Sequence, residues 1–195
     1  KAGGSERRYR SGGFDTTEHD TRTALNELLT ACDGWLCERG DGTIILVAGK
    51  YEESTETITD DDIVGWTIQS DVPDEYAVNE IATTFCFVDA GYSTVTVDPW
   101  EDEEDQAIRG AKRPTRLELN WVQSFSQARR LAKREMYRQK QRVRGQLVLN
   151  FGAYKKVHKR WVNVYSNTVP FLSGVTIENR KATISLSSGT VTIDY

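Results

Sequence analysis

Between Gln146 and Tyr195 apolar residues return at every second position, in "QLVLNF", "WVNVY", "GVTIENRKATISL" and "TVTIDY". Side chains that alternate across the backbone in this way belong to strands with one dry face and one wet face. The last quarter of the chain must therefore build sheet, and Asn179-Arg180 offers a tight turn between two of its strands. The runs "GWTIQS", "NEIATTFCFV", "STVTV" and "RLELNWV" extend the same expectation back to Ile63.

Two segments break this period. In "DTTEHDTRTALNELLTACDGWL", Leu25, Leu28, Leu29 and Cys32 recur at helical spacing and predict a buried face. Thr17 and Asp20 stand at capping-box spacing before them, and Asp33-Gly34 supplies the stop, with glycine suited to the left-handed turn. "WLCER-GDG-TIILVAGKY" then reads as a hairpin around Gly40-Asp41-Gly42. The second helix opens at Ser124, with Gln127 three residues on, and carries Ala128, Leu131 and Ala132 on one side.

These pieces predict an α+β chain: a mainly antiparallel β-barrel or sandwich with one long helix, plus a small α/β subdomain of helix and hairpin. The expected division is a flexible arm or non-native remnant over 1–12, the helix-hairpin subdomain over 13–60, and the barrel subdomain over 61–195 with its helix at about 125–140. "EESTETITDDD" reads as a linker or exposed connection. The 195 residues are 38% hydrophobic, enough for one core or two small ones. No apolar run is long enough to span a bilayer and no leader is visible, so no membrane partner is expected. The chain begins at Lys1 without an initiator Met, which predicts a longer parent.

Chemistry has little to work with. Cys32, Cys37 and Cys86 lack metal-ligand spacing and read as reduced thiols of a reducing compartment. His19 and His158 lie far apart among polar residues and read as surface side chains. Phosphate-loop, serine-elbow and zinc-helix motifs are all missing, so no catalytic, cofactor or metal residues are expected. "DPWEDEED" gathers the carboxylates that calcium favours but lacks the glycine and closing glutamate of an EF-hand loop, and reads as a solvated loop. The acidic residues give no preferred pair for glycoside hydrolysis. Trp35, Trp66, Trp100, Trp121 and Trp161 read as core or interface aromatics.

Charge is uneven. The net charge is -4, yet base collects between Arg129 and Arg144 while acid collects at Asp60 to Asp62 and Asp98 to Gln106. The basic helix is the strongest nucleic-acid signal in the chain. Acidity overall and the habit of exposed helices to carry Arg and Lys favour a solvated face, or a face meeting an acidic neighbouring subunit.

The order of these motifs resembles one family. Gly12, Asp15, Thr16, Thr17 and Glu18 match a "G-x-x-DT(S/T)E" entry leading through the first helix to Trp35. Asn79, Ile81, Thr83 and Phe85 match an "N-x-(V/I)-x-(G/T)-x-F" strand. Ala128, Arg130, Leu131, Ala132, Lys133, Met136 and Arg138 match an "A-x-R-(L/I)-A-K-x-x-(L/M)-x-R" helix. Together they resemble the central tail tip, or hub, protein of long-tailed bacteriophages, prophages and gene transfer agents, which includes the lambda-type tip attachment or host-specificity protein. The chain departs from it with Asp20 where proline is frequent, and with Lys159-Arg160 where "GD" is frequent.

The resemblance implies a structural role. Hub domains of tail-tube type, three copies to a ring, would close the tail tube and hold the tip or receptor-binding parts, contacting neighbouring tube and tip proteins. The place would be the virion tail tip, after assembly in the bacterial cytoplasm, and no cofactor would be needed. Arg129, Arg130, Lys133, Arg134 and Arg138, with Trp100, Glu101, Asp102 and Glu103, are then candidates for a subunit or partner contact. The competing readings are a tail-associated cell-wall hydrolase, a nucleic-acid-binding module using 129–144, and an interaction module of another tube machine.

Overall fold

The computed structural model describes residues 6–12, 20–39, 41–70 and 77–195. In chain order the elements are α1 (Thr21–Cys32), β1 (Trp35–Glu38), β2 (Ile44–Val47), β3 (Thr57–Thr59), β4 (Ile63–Gln69), β5 (Glu80–Phe87), β6 (Ser93–Glu101), α2 (Glu103–Arg109), β7 (Pro114–Leu119), α3 (Phe125–Gln139), β8 (Arg144–Asn150), β9 (Trp161–Tyr165), β10 (Val175–Glu178), β11 (Lys181–Ser185) and β12 (Thr190–Asp194). The chain divides into two compact units, residues 1–34 with 72–141, and residues 35–71 with 142–195. This differs from the expected cut at residue 60. The first helix and the hairpin after it fall in different units, because each is joined to segments distant in sequence.

Unit 1 is a three-stranded sheet with α3 across it. Central β5 pairs antiparallel with β6 and parallel with β7. Alternation places Asn79, Ile81, Thr83 and Phe85 all inside. From α3, Ala128, Leu131, Ala132 and Met136 are buried, a helical stripe laid against the sheet residues Ile81, Phe85 and Leu119. The acidic run is not a solvated loop. Asp98 to Glu101 finish β6, Asp102 caps α2 by accepting from the Asp105 amide at 3.2 Å, and Glu103, Glu104 and Asp105 occupy its first turn. Carboxylates there meet the positive end of the helix dipole.

The predicted helix ends need correction. Asp20 is itself the N-cap of α1, accepting from the Thr23 amide at 2.7 Å, and Thr17 lies outside the described residues. At the other end Asp33, not Gly34, takes the left-handed conformation, with φ 47°. Gly34 is needed for space, since a Cβ would lie 2.7 Å from Leu29 Cδ2. The leucine face is not sealed: Leu25 and Leu28 are exposed and Leu29 and Cys32 half-buried, leaving Ala31 as the buried residue of α1. At α3 the expected capping box does not form. Ser124 makes no side-chain cap bond, and Gln127 turns inward instead.

Residues 6–12, expected to be a free arm, are engaged along α3 and the turn before it. Ser11 bridges Val122, and the Gly12 amide donates to Trp121 O at 3.0 Å. Gln127, fully buried, explains the attachment. Its amide nitrogen donates to Arg10 O (3.0 Å) and Ala31 O (2.8 Å), and its oxygen accepts from the Arg10 amide (2.8 Å). One side chain thereby satisfies the segment before α1, the end of α1 and itself.

Unit 2 contains the alternating strands. One sheet has the order β10-β9-β3, with β3 and β9 parallel, and another the order β11-β12-β8-β4, antiparallel throughout. Their buried residues share one cluster: Ile58 from β3, Leu147 and Leu149 from β8, Val162 and Val164 from β9, Ile177 from β10, Val191 and Ile193 from β12. The architecture is sandwich-like. The described strands form four open sheets and close no barrel, because β10, β3, β11 and β4 each end a sheet unpaired on one side. β1 and β2 form the expected hairpin as a separate two-stranded sheet.

Two connections also differ from the pattern the sequence predicts. The expected linker contains β3, with Ile58 wholly buried. After it, Asp62 accepts from the Thr59 amide (2.8 Å) and from Lys156 Nζ (2.6 Å), while Asp60 accepts from the Asn167 and Thr168 amides at 2.9 and 3.1 Å and from Ser166 Oγ. The acidic triplet is a corner, not an exposed run. Asn179-Arg180 is no hairpin turn either, since β10 and β11 belong to different sheets. Buried Asn179 donates to Val157 O (2.8 Å) and Lys159 O (3.3 Å), fixing the crossing.

Candidate functional site

The nine residues expected at a contact come from α3, the end of β6 and the start of α2, all in unit 1. The helix turns its charges in several directions, and most find partners inside the chain. Arg134 and Arg138, one turn apart, both reach Asp33, whose side chain is only 5% exposed; the Arg138 Nη2–Oδ1 distance is 2.6 Å. This clamp holds the C-terminus of α1 in its left-handed turn. A buried carboxylate without such partners would be strongly disfavoured. Arg134 also donates to the Tyr9 hydroxyl at 3.1 Å.

Arg130 faces the N-terminal segment, donating to Arg8 O at 2.6 Å and lying 3.6 Å from Glu6 Oε2. Arg129 and Lys133 sit over the Trp100 ring at 5.5 and 5.4 Å, a cation–π pair on one indole. Arg129 and Lys133 reach the Phe125 and Tyr137 rings as well, at 5.9 and 5.8 Å. The acidic members are neutralised separately. Lys112 Nζ lies 2.6 Å from Glu101 Oε1 and 3.3 Å from Glu80 Oε2, and Asp102 pairs with Lys140. Glu103 is exposed at the start of α2. The structure thus joins Trp100 to Arg129 and Lys133, and gives Glu101 and Asp102 lysine partners of their own.

Sequence reading missed three residues. The sequence marks Asp33 only as a stop signal, Gln127 as a capping partner, and Asn79 as one motif position. Asn79 is fully buried and organises the acidic segment. Its Nδ2 donates to Asp105 Oδ2 (3.1 Å) and Ala111 O (3.0 Å), its Oδ1 accepts from the Arg113 amide (2.7 Å), and its carbonyl accepts from the Asp102 amide (3.0 Å). The available signal was its place one step before a strictly alternating strand, where a polar residue must be buried and satisfied.

Among the described residues no group of three His, Cys, Asp or Glu could hold a metal. The three cysteines are half-buried and form no disulfide with one another. No described helix is long and apolar enough to cross a membrane. His158 is half-buried, edge-on to Tyr154 at 4.5 Å, contrary to the surface role expected of it. Of the tryptophans, Trp35 is buried, Trp100, Trp121 and Trp161 are half-buried, and Trp66 is exposed.

Comparison with known proteins places this arrangement. No curated protein matches the sequence. The fold is similar to a chain of the virion of the native gene transfer agent particle, with a TM-score of 0.60 and 12% identity, covering 89% of this chain and 38% of that one. It is also similar to a tail protein from Neisseria meningitidis MC58, with a TM-score of 0.51 and 13% identity, covering 96% of this chain and 58% of that one. At these identities the likeness is one of fold, and this chain spans well under two thirds of either protein. The family described as "Putative phage tail protein" matches residues 20–145, which include α1, β5, the Asn79 network and α3. That segment is more than half of the sequence, and the chain belongs to this family of phage tail proteins.

Proposed function

We propose that the chain is a structural part of a phage or prophage tail tip, supplying hub domains that close the tail tube and hold the tip or receptor-binding parts. The observation that carries this reading is the extent of the fold shared with a chain of a gene transfer agent virion, 89% of this chain across both units. In the longer parent the assembly is a homotrimer in contact with neighbouring tube and tip proteins, and the chain contributes no catalytic residues. The neutralisation of the basic helix favours this over nucleic-acid binding. Arg130, Arg134, Arg138 and Lys140, half of the eight cations between Arg129 and Arg144, are held by carboxylates or carbonyls of the same chain rather than offered to phosphates. The outward part of the expected contact is Trp100 with Arg129 and Lys133, and Glu103 at the start of α2.

Immunogold electron microscopy of induced particles tests the placement, using antibody raised against this chain. Label at the distal tail end is the expected result. Intact tails without label, together with absence of the protein from the same particles by mass spectrometry, would overturn it.

A further inference from the structure

Unit 2 holds a cleft of about 630 Å³ that no role assigned above uses. One wall is β1 with Arg39, and the other is β11 with the segment from Tyr154 to His158. The volume falls within the ~300–1,000 Å³ of pockets that enclose a ligand. Its walls specify the occupant in three independent ways.

The first is charge. Arg39, Arg180 and Lys181 line the cleft against Glu38, and none of the three cations makes an ion pair with a described residue. The second is an unsatisfied polar atom. His158 lines the cleft, and its Nε2 is buried without a hydrogen-bond partner. Burial, and then the nearby Arg39 guanidinium, outweigh the Asp41 carboxylate and hold its pKa below the ordinary histidine value. Buried polar atoms are nearly always satisfied in folded proteins, and a bound group would supply the partner.

The third is backbone. β11 ends its sheet, pairing among the described residues with β12 alone, and β1 pairs with β2 alone. An open edge offers a row of amides and carbonyls to an extended chain. A small anion would meet the cations and leave that edge unused, whereas a peptide meets both. Alternation along such a peptide would set carboxylates on the cationic side and apolar side chains toward Trp35 and Ile184.

We propose that this cleft binds an extended acidic segment of a neighbouring protein, which adds a strand to the free edge of β11 and sets its carboxylates against Arg39, Arg180 and Lys181. The inference does not depend on the tail-tip reading, since it follows from unit 2 alone. The test titrates the ¹⁵N-labelled chain with an end-blocked peptide of alternating Glu and Val around a central Phe, and with its Lys counterpart. The acidic peptide is expected to shift the amides of 181–185 and slow their hydrogen exchange, while the Lys peptide leaves them unmoved. Arg180→Glu with Lys181→Glu, both exposed, should keep the remaining spectrum and weaken binding about tenfold or more. No shift at 181–185, or equal binding by the double variant, overturns the proposal. Inorganic pyrophosphate is the second probe. If it occupies the cleft while the peptide leaves β11 exchange unchanged, the site belongs to a small anion and strand addition is wrong.

Discussion

In unit 2 the buried side chains of two sheets form one apolar cluster running from Ile58 to Ile193, whereas in unit 1 they fall into two smaller clusters. Around those smaller clusters a buried amide, Asn79, a second, Gln127, and a buried carboxylate, Asp33, tie loops and helix ends to the sheet. The difference follows from the layers. Two facing sheets of alternating Val, Ile and Leu exclude water over their whole overlap. A three-stranded sheet under one 15-residue helix has less apolar area, so the buried polar residues that both units carry at their margins, such as Asn179 and Asp62 in unit 2, hold a larger share of unit 1.

The comparison breaks most visibly at Leu149, wholly buried in unit 2. Leu149→Ala removes apolar contacts that the packed sheets cannot restore by collapsing, and should cost about 2–5 kcal/mol in urea unfolding. Hydrogen exchange should rise in β8, β9 and β12. An equal rise in β5 to β7 would mean that the two units do not differ in how they are held.

Unit 1 should respond to charge in the same way that unit 2 responds to volume. Asp33→Ala strips the partner from Arg134 and Arg138 and leaves alanine at φ 47°, a conformation β-carbon-bearing residues adopt reluctantly. The expected loss is about 3 kcal/mol. Asp33→Asn keeps a residue tolerant of that backbone and removes only the charge. If the Asn variant unfolds at the same urea concentration as the parent, the clamp contributes no net stability and the contrast between the units fails.

Acid sharpens the comparison within unit 2. The Ser166 hydroxyl, then the Asn167 and Thr168 amides, hold the Asp60 carboxyl well below the usual carboxylate range. Burial alone raises the pKa of Asp62, but Lys156 and the Thr59 amide outweigh it and the result is lowered. A carboxyl with a depressed folded pKa contributes stability that is complete above its unfolded value, near 3.8, and is lost as pH falls through the folded one. Between pH 7 and 5 these two groups should leave stability unchanged. Below about pH 4 exchange should quicken first at Thr59, Asn167 and Thr168. Early exchange at pH 5 would show that these hydrogen bonds are not what holds the corner.

How much of this was legible from the residues depended on whether a signal was periodic or particular. The period of two in β8, β9 and β12 appears directly in burial, with Leu147, Leu149, Val162, Val164, Val191 and Ile193 inside. The stripe of α3 was equally plain. Pairing was not, because alternation says which face is dry and nothing about the neighbour. Hence alternation around Asn179-Arg180 suggests a hairpin of β10 and β11, although Asn179 carries the chain from one sheet to the other. The candidate contact was legible as composition only. A run of arginines does not reveal that Asp33, some hundred residues earlier, takes two of them. The leucines of α1 mark the opposite failure, a helical stripe that left Leu25 and Leu28 exposed in this chain.

The smallest expected effect lies where unit 1 is held by the most solvated of its pairs. Arg130 meets Arg8 O and Glu6 with its side chain 41% exposed, so water and salt compete for both contacts. Arg130→Ala should cost about 0.2–1 kcal/mol, in the ordinary range of exposed pairs. Its signature should be local. Residues 6–12 remain tied through Gln127 and the Ser11–Val122 bridge, so the chemical shifts of Arg8 and Tyr9 should move while the Arg10 amide, bound to Gln127, stays protected from exchange. Gln127→Ala is the contrasting change, because it leaves the Ala31 and Arg10 carbonyls without that donor and should release the whole segment. If Arg130→Ala releases Arg10 as well, the arm is held by charge rather than by the buried amide, and unit 1 depends on its surface pairs more than its interior suggests.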